Sequence, residues 1–424
     1  MKNSWNDRIV QRKTELEYWE NRLFHLPELG FKEIKTRSAL IEYAGTLGLC
    51  VSRDFGINGF AITIGQGFPH IGLIAELDAL VTKGHPAMSQ IDEAAHSCGH
   101  HLQTTIMMET LGLWSKYRNS ELDGTVSVYF IAAEEFVDLD YRLKLQSEGL
   151  ITLLSGKQNL LSENAFSDID VLISCHTMGS TEKPAMELNS KLSGFIYKKI
   201  KFIGKSAHAA VAPHMGINAL NAQILTQTAI GLLRETFEEH NLIRVHLITT
   251  TGGQSVNAVP SETVLEGYVR AIDSKSLLEI SNRIDSLAAH CALALTATTE
   301  ITNRTGYMPL IQSESLSLVL QPYMEECVGS ANIYNHRNSF AAGDVGDCSL
   351  FYPTVQFGFS GCQGIVHGAD FCMKESTEAL MYPIYVILSS IEELISHPQK
   401  VTEIKAEFKP MMELSEYKKM HGIK

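Results

Sequence analysis

The sequence predicts an α/β fold with a mixed sheet covered by helices, interrupted by an inserted ferredoxin-like α+β domain, on three observations. First, the runs Ile71-Gly72-Leu73-Ile74-Ala75, Thr125–Ala132 and Val171–Ser174 are apolar on both faces, as strands are inside a sheet covered by helices. Second, each run delivers chemistry at its end: Glu76-Leu77-Asp78, Ala133-Glu134-Glu135 and Cys175-His176. Open α/β sheets hold ligands at the C-terminal ends of their strands. Third, from about 190 to 305 the element order becomes βαββαβ, the ferredoxin-like plan. At 424 residues the chain exceeds one typical core, so two domains are expected: 1–189 joined to 306–424, and 190–305 inserted between them.

Each element has its own signal. From Asp7 to Phe24, Ile9, Leu16, Trp19 and Leu23 recur at roughly helical spacing until His25-Leu26-Pro27-Glu28-Leu29-Gly30 breaks the pattern. A second helix is expected from Lys35 to Leu47, then short strands at Phe60–Ile64 and His70–Glu76 bounded by glycine or proline. Leu102–Tyr117 reads as a helix, and strands follow at 125–132 and 171–174. The insert reads as strand 194–203, helix 218–238, strands 243–250 and 263–269, helix 275–294 and strand 296–301. The first domain then resumes with Gly343-Asp344-Val345-Gly346-Asp347, a strand at 355–358, His367-Gly368 in a glycine-rich loop and a closing helix at 375–396. The charged tail after Lys400 is expected to be a solvated helix or a frayed end.

Composition narrows the function. Hydrophobic residues at 45% and charged residues at 20% are ordinary for a globular enzyme. With 48 acidic against 35 basic residues, the formal charge of −13 argues against nonspecific nucleic-acid or anionic-membrane partners. It would also repel an anionic substrate unless the site carries local positive charge, which bound metal could supply. The charged N-terminal stretch has no apolar run of the signal-peptide kind and no later stretch approaches a membrane span, so a cytoplasmic protein is expected. Eight cysteines, at 50, 98, 175, 291, 327, 348, 362 and 372, show no paired CxxC spacing, which suggests neither a disulfide framework nor a zinc ribbon.

Cys98 stands apart because Ala95-His96-Ser97-Cys98-Gly99-His100-His101 packs a thiol and three imidazoles into seven residues. One glycine between Cys98 and His100 allows a sharp bend that turns both side chains to one point, and the helix start beside them favours a thiolate. A histidine-rich surface loop is the bland alternative. With the strand-end residues, the candidate metal ligands are Cys98, His100, Glu135, His176 and His367. Two divalent cations held by such a set can lower the pKa of a water and polarise a carbonyl oxygen, while a carboxylate that is not a ligand, Glu134, carries the proton. Adjacent acids are often merely solvated and a lone histidine is often structural, but here they end buried strands or sit in a Gly-flanked loop.

The series His25-Leu-Pro-Glu-Leu-Gly30, Ala75-Glu-Leu-Asp-Ala-Leu80, His96-Ser-Cys-Gly-His100, Ala133-Glu-Glu135, Gly204-Lys-Ser-Ala-His208, Gly252-Gly-Gln-Ser-Val-Asn257 and His367-Gly368 resembles the metallo-amidohydrolase and peptidase family of aminoacylases, auxin-conjugate hydrolases and aminobenzoyl-glutamate hydrolase. The segment Gly343–Asp347 looks most like the aminobenzoyl-glutamate hydrolase branch. The resemblance covers nearly the whole chain. It implies a dinuclear-metallopeptidase-like catalytic domain holding two Zn²⁺ or Mn²⁺ ions, with an inserted lid or dimerisation domain and a homodimer through it. Cys98, His100, Glu135, His176 and His367 would then be ligands and Glu134 the general base. His208, in the insert, would help stabilise the tetrahedral oxyanion, within its own chain or across a dimer interface, and Asn257 would contact substrate. On residue type alone His208 could equally be a strand-end histidine facing water, and Asn257 a turn former.

Two positions depart from the family pattern. His101 stands where Asp is common, and Glu76 where related dinuclear peptidases have His. Asp78 could orient a ligand or make a structural hydrogen bond. The activity implied is hydrolysis of the amide bond in an N-acyl, N-aroyl or N-aminoacyl amino acid or dipeptide. A zinc deaminase is disfavoured because its Pro-Cys-x-x-Cys element is absent. An inactive binding or scaffold protein of the same fold would have no need of Glu134.

Overall fold

The structure, a computed structural model, describes residues 3–423 and divides into two compact units. The first runs up to Ser190 and includes Ile311–Arg337 and the chain from Asp347 onward; the second is Lys191–Leu310 with Asn338–Gly346.

The first unit is built on an eight-stranded mixed sheet. In chain order its strands are β1 Arg53–Asp54, β2 Gly59–Gln66, β3 His70–Glu76, β4 Gly124–Ile131, β5 Val171–Thr177, β6 Met186–Leu188, β7 Ile333–Asn335 and β8 Thr354–Phe359. Across the sheet they lie in the order β1-β2-β4-β3-β5-β8-β6-β7. β3 is parallel to both β4 and β5, and β5 to β8, while β2 joins β4 antiparallel. Four parallel strands at the centre therefore end on the same edge, and the residues after β3, after β4 and at the end of β5 emerge together. The apolar runs that predicted these strands are buried throughout: all eight residues of β4, and β3 from Ile71 to Glu76.

Helices cover the sheet. His100–Tyr117 is buried from His100 to Trp114 and packs on β3 and β4. The N-terminal pattern makes two helices rather than one, Asn3–Gln11 and Lys13–Phe24. The closing helix begins with a π-helical turn at Thr377–Met381 and continues as Tyr382–Ser396. By length and composition Thr377–Ser396 is apolar enough to cross a membrane, contrary to the reading that no such stretch exists. Here 78% of its apolar window is buried in the protein, the environment of a core helix.

The tail is helical and mostly exposed, as one of its two expected forms has it, but it is also docked. It forms Pro398–Glu407 and Leu414–Met420, and neither is frayed: Tyr417 is fully buried, with its hydroxyl donating to Asp347 Oδ1 at 2.6 Å. An aromatic ring with a polar tip fastens an otherwise charged segment.

The second unit has the order strand Gly194–Ile203, helix Ala219–Leu233, strands Arg244–Thr251 and Glu262–Ala271, helix Ser274–Ala294 and strand Thr298–Thr305. The sheet is antiparallel, with Gly194–Ile203 between Glu262–Ala271 and Thr298–Thr305, and Arg244–Thr251 on the outer edge. This is the ferredoxin-like arrangement. Its core includes Ile200, Phe202, Leu265 and Val269 from the sheet with Ile284 and Ala288 from a helix. A return segment belongs to it as well, since Asn338–Ser339 pairs in parallel with Lys191–Leu192.

Candidate metal centre

The sharp turn at Gly99 sets the geometry of the cluster. Gly99 has φ +89°, and a Cβ there would come within 2.7 Å of Thr177 Cγ2. Both the left-handed backbone and the close approach demand glycine. His100 then opens the helix, and its Nδ1 is 2.8 Å from the Asp78 carbonyl oxygen. That acceptor puts the ring proton on Nδ1 and leaves Nε2 as a lone-pair donor.

Asp78, fully buried after β3, ties three elements together. Its Oδ1 accepts the Glu134 N–H at 3.0 Å and its Oδ2 the Glu135 N–H at 2.9 Å, while its backbone oxygen takes the His100 proton. The turn after β4 is held from the other side. Ala133 has φ +58°, its N–H donates to Glu33 Oε1 at 2.8 Å, and the buried Arg142 guanidinium donates to the carbonyls of Ala133, Leu154 and Glu135. Within β5, His176 Nδ1 donates to the Thr177 carbonyl at 2.9 Å, so its Nε2 also points away as an acceptor. His367 adopts φ +68°, rare for a non-glycine residue, and its N–H donates to Ser97 O at 2.8 Å.

The structure brings together all five candidate ligands. Cys98 Sγ lies 3.3 Å from His176 Nε2 and 3.3 Å from His367 Nε2, and His367 Nε2 lies 3.2 Å from Glu135 Oε1. Two donor triads share the sulfur: Cys98, His100 and His176, and Cys98, Glu135 and His367, each with donor atoms within 4.8 Å of one another. A third group, also within 4.8 Å, joins Glu134 to His100 and Glu135. Two donors on one tetrahedral cation, with bonds of about 2.0–2.3 Å, stand roughly 3.3–3.6 Å apart, close to the spacings seen here. Among the described residues, His100 Nε2 and Glu135 Oε1 are buried and make no hydrogen bond. Orphaned donors aimed at a common point are costly in a folded protein without a ligand. The set fits divalent cations.

Against its burial, Cys98, Asp78 and Glu76 raise His100 well above its ordinary value in the absence of a cation, whereas three other candidate ligands shift as a cation site requires. Burial, reinforced by Glu135, pushes the Cys98 thiol well above its ordinary range, so a thiolate there depends on a cation. Burial would raise the Glu135 carboxyl, but His367 and His100 outweigh it and hold it below the usual value. Burial lowers His176, which keeps its lone pair available.

The remaining candidates lie elsewhere. His208 and Asn257 belong to the second unit and are exposed there. His208 Nδ1 accepts the N–H groups of Ala210 and Val211 at 3.2 Å each. Asn257 Oδ1 accepts the Ser255 hydroxyl at 2.5 Å. His101 is buried away from the donor triads, 3.2 Å from Glu20 and packed against Phe24 and His96. Sequence reasoning missed Lys157, whose Nζ is 2.7 Å from Glu76 Oε1, together with Arg142 and Glu33. A lysine in Ser155-Gly156-Lys157-Gln158 carries no signal of burial, since lysine is ordinarily a surface residue.

Known proteins resemble this chain in sequence and in fold. Residues 191–294 match a peptidase dimerisation domain. A dinuclear metal binding peptidase of the M20 family from Bacillus subtilis superposes with a TM-score of 0.70 at 17% identity, covering 91% of this chain and 99% of that one. A p-aminobenzoyl-glutamate hydrolase chain of Escherichia coli is 29% identical over 302 residues, 68% of this chain.

The chain resembles peptidases and amidohydrolases of the M20 family in sequence and in fold.

This chain spans 57% of the length of that Escherichia coli relative. A putative aminohydrolase from Staphylococcus aureus superposes on it with a TM-score of 0.78 at 18% identity, over 92% of this chain and all of the other. At that identity the likeness is one of fold.

Proposed function

We propose that this protein is a metal-dependent hydrolase of the M20 family that cleaves the amide bond in N-acyl, N-aroyl or N-aminoacyl amino acids, including aminobenzoyl-glutamate-like conjugates and dipeptides. The observation that carries the reading is the pair of donor triads sharing Cys98 with Glu134 beside them, its Oε2 4.0 Å from His100 Nε2. Cys98, His100, Glu135, His176 and His367 would hold two Zn²⁺ or Mn²⁺ ions. Bound there, the ions supply Lewis acidity that polarises the amide carbonyl and makes water a better acid.

The chain's own residues do the rest. Glu134, placed by the Asp78 hydrogen bond to its N–H, takes the proton of the attacking water and delivers it to the leaving amine. His208 accepts two backbone N–H groups on Nδ1, so its proton sits on Nε2, where it can donate to the developing oxyanion. The Asn257 amide, its oxygen engaged by Ser255, offers N–H donors to the substrate. The relative named for p-aminobenzoyl-glutamate supports an aroyl amino acid as one member of the substrate class. A cytoplasmic homodimer joined through the inserted domain completes the proposal. An inactive scaffold would leave the buried Glu134 without purpose.

The test is a panel of aminobenzoyl-glutamate, N-acyl amino acids and dipeptides, assayed with chelator-stripped protein after each metal is added back. Glu134→Gln should keep its metal and lose about 10²–10⁴-fold in turnover. Normal turnover in that variant would put the base elsewhere.

A further inference from the structure

Glu76 is a buried charge beside the centre that the five-residue ligand set does not use. It ends β3 with 2% of its surface exposed. Its two oxygens face different partners. Oε1 accepts from Lys157 Nζ at 2.7 Å, whereas Oε2 lies 3.2 Å from His100 Nε2. Among the described residues, neither Glu76 Oε2 nor His100 Nε2 makes a hydrogen bond.

Because the Asp78 carbonyl takes the proton on His100 Nδ1, the Nε2 atom presents a lone pair, and so does the carboxylate oxygen. Two acceptors 3.2 Å apart in a buried site repel unless a proton or a cation lies between them. Their spacing matches that of His367 Nε2 and Glu135 Oε1, 3.2 Å, and is close to the 3.3 Å between Cys98 Sγ and His176 Nε2.

We propose that Glu76 Oε2 is a sixth protein donor to the cation pair, joining the ion held by His100, and that Lys157 fixes the other oxygen and offsets the added negative charge. The placement of Lys157 supports this. It sits in the helix Gly156–Ser162, and a Cβ on Gly156 would come within 2.0 Å of Ala132 O, so only glycine lets that helix dock on the end of β4 and bring the lysine to Glu76. Its side chain is fully buried, which a lysine tolerates when a carboxylate is its partner.

The inference rests on the metal-hydrolase reading, and the experiment separates the two. Chelator-stripped wild type, titrated with Mn²⁺ by calorimetry, should bind two ions; Glu76→Gln should bind one of them at least about tenfold more weakly. That substitution also removes the carboxylate from beside Lys157, so Glu76→Gln/Lys157→Met is the control. The double variant should recover thermal stability without recovering metal affinity. If it recovers both, Glu76 is only a counter-charge for Lys157 and the proposal fails. Should Glu76→Gln not fold, the crystal structure of the Mn²⁺-loaded wild type decides: Glu76 Oε2 within about 2.2 Å of an ion supports the proposal, and more than about 3 Å overturns it. Two ions bound with Glu76 remote leaves the hydrolase reading intact. A wild type that binds no ion removes both.

Discussion

Asp78 shows how one buried carboxylate can position a site it does not enter. It holds the backbone of Glu134 and Glu135 through its side chain, and the tautomer of His100 through its main chain. Asp78→Asn replaces one acceptor oxygen with a donor that faces an N–H. Metal affinity measured by chelator competition should fall about 10–100-fold, and an unchanged affinity would show that the turn after β4 keeps its shape unaided. Glu20 and His101 present a different residue-scale problem. Burial pushes the Glu20 carboxyl up to about 7, while burial and the neighbouring His100 drop His101 to about 3, so between those values both side chains are neutral. The folded pKa of Glu20 lies above its unfolded value near 4.5. The stability this contributes is complete below about pH 4.5 and is lost as pH rises through about 7, a change of about 3 kcal/mol. Denaturant unfolding of metal-free Glu20→Gln should therefore lack that decline relative to wild type, and parallel pH profiles would contradict it.

At the scale of elements, the strands and their ends were legible because buried parallel strands leave continuous apolar runs, and the carboxylates and imidazole that follow them break those runs sharply. β3 spans His70–Glu76, the same residues its sequence pattern marked out. His176 proves to lie inside β5 rather than after it, because β5 stays paired with β8 through His176 and Thr177, opposite Gly358 and Phe359. The docked tail was not legible: one tyrosine in a charged segment gives no periodic signal, and its partner Asp347 is 70 residues away. The pairing of Glu76 with Lys157 across 81 residues was hidden for the same reason. The Gly99 turn carries its own prediction. Gly99→Ala must hold φ +89° and push aside Thr177, so bound metal per folded chain should drop sharply, by mass spectrometry on protein whose melting curve remains cooperative. Full metal content would mean that the bend tolerates a side chain.

For the molecule as a whole, the division of labour between units is the consequence to test. The candidate ligands all belong to the first unit, while His208 and Asn257 belong to the ferredoxin-like insert. The βαββαβ element order was legible because it has its own rhythm, but the return segment was not, since Asn338–Ser339 pairs with Lys191–Leu192 only after those elements have been traversed. On the proposed reading His208→Ala should lower kcat by about 10²–10³-fold with metal content unchanged, and equal turnover would exclude the oxyanion role.

The central claim is that Cys98, His100, Glu135, His176 and His367 hold two cations. Elemental analysis of the wild-type protein, purified without chelator and dialysed, tests it most directly. The account predicts about two equivalents of zinc or manganese per chain; protein that carries no divalent metal, and takes up none when it is offered, would contradict it.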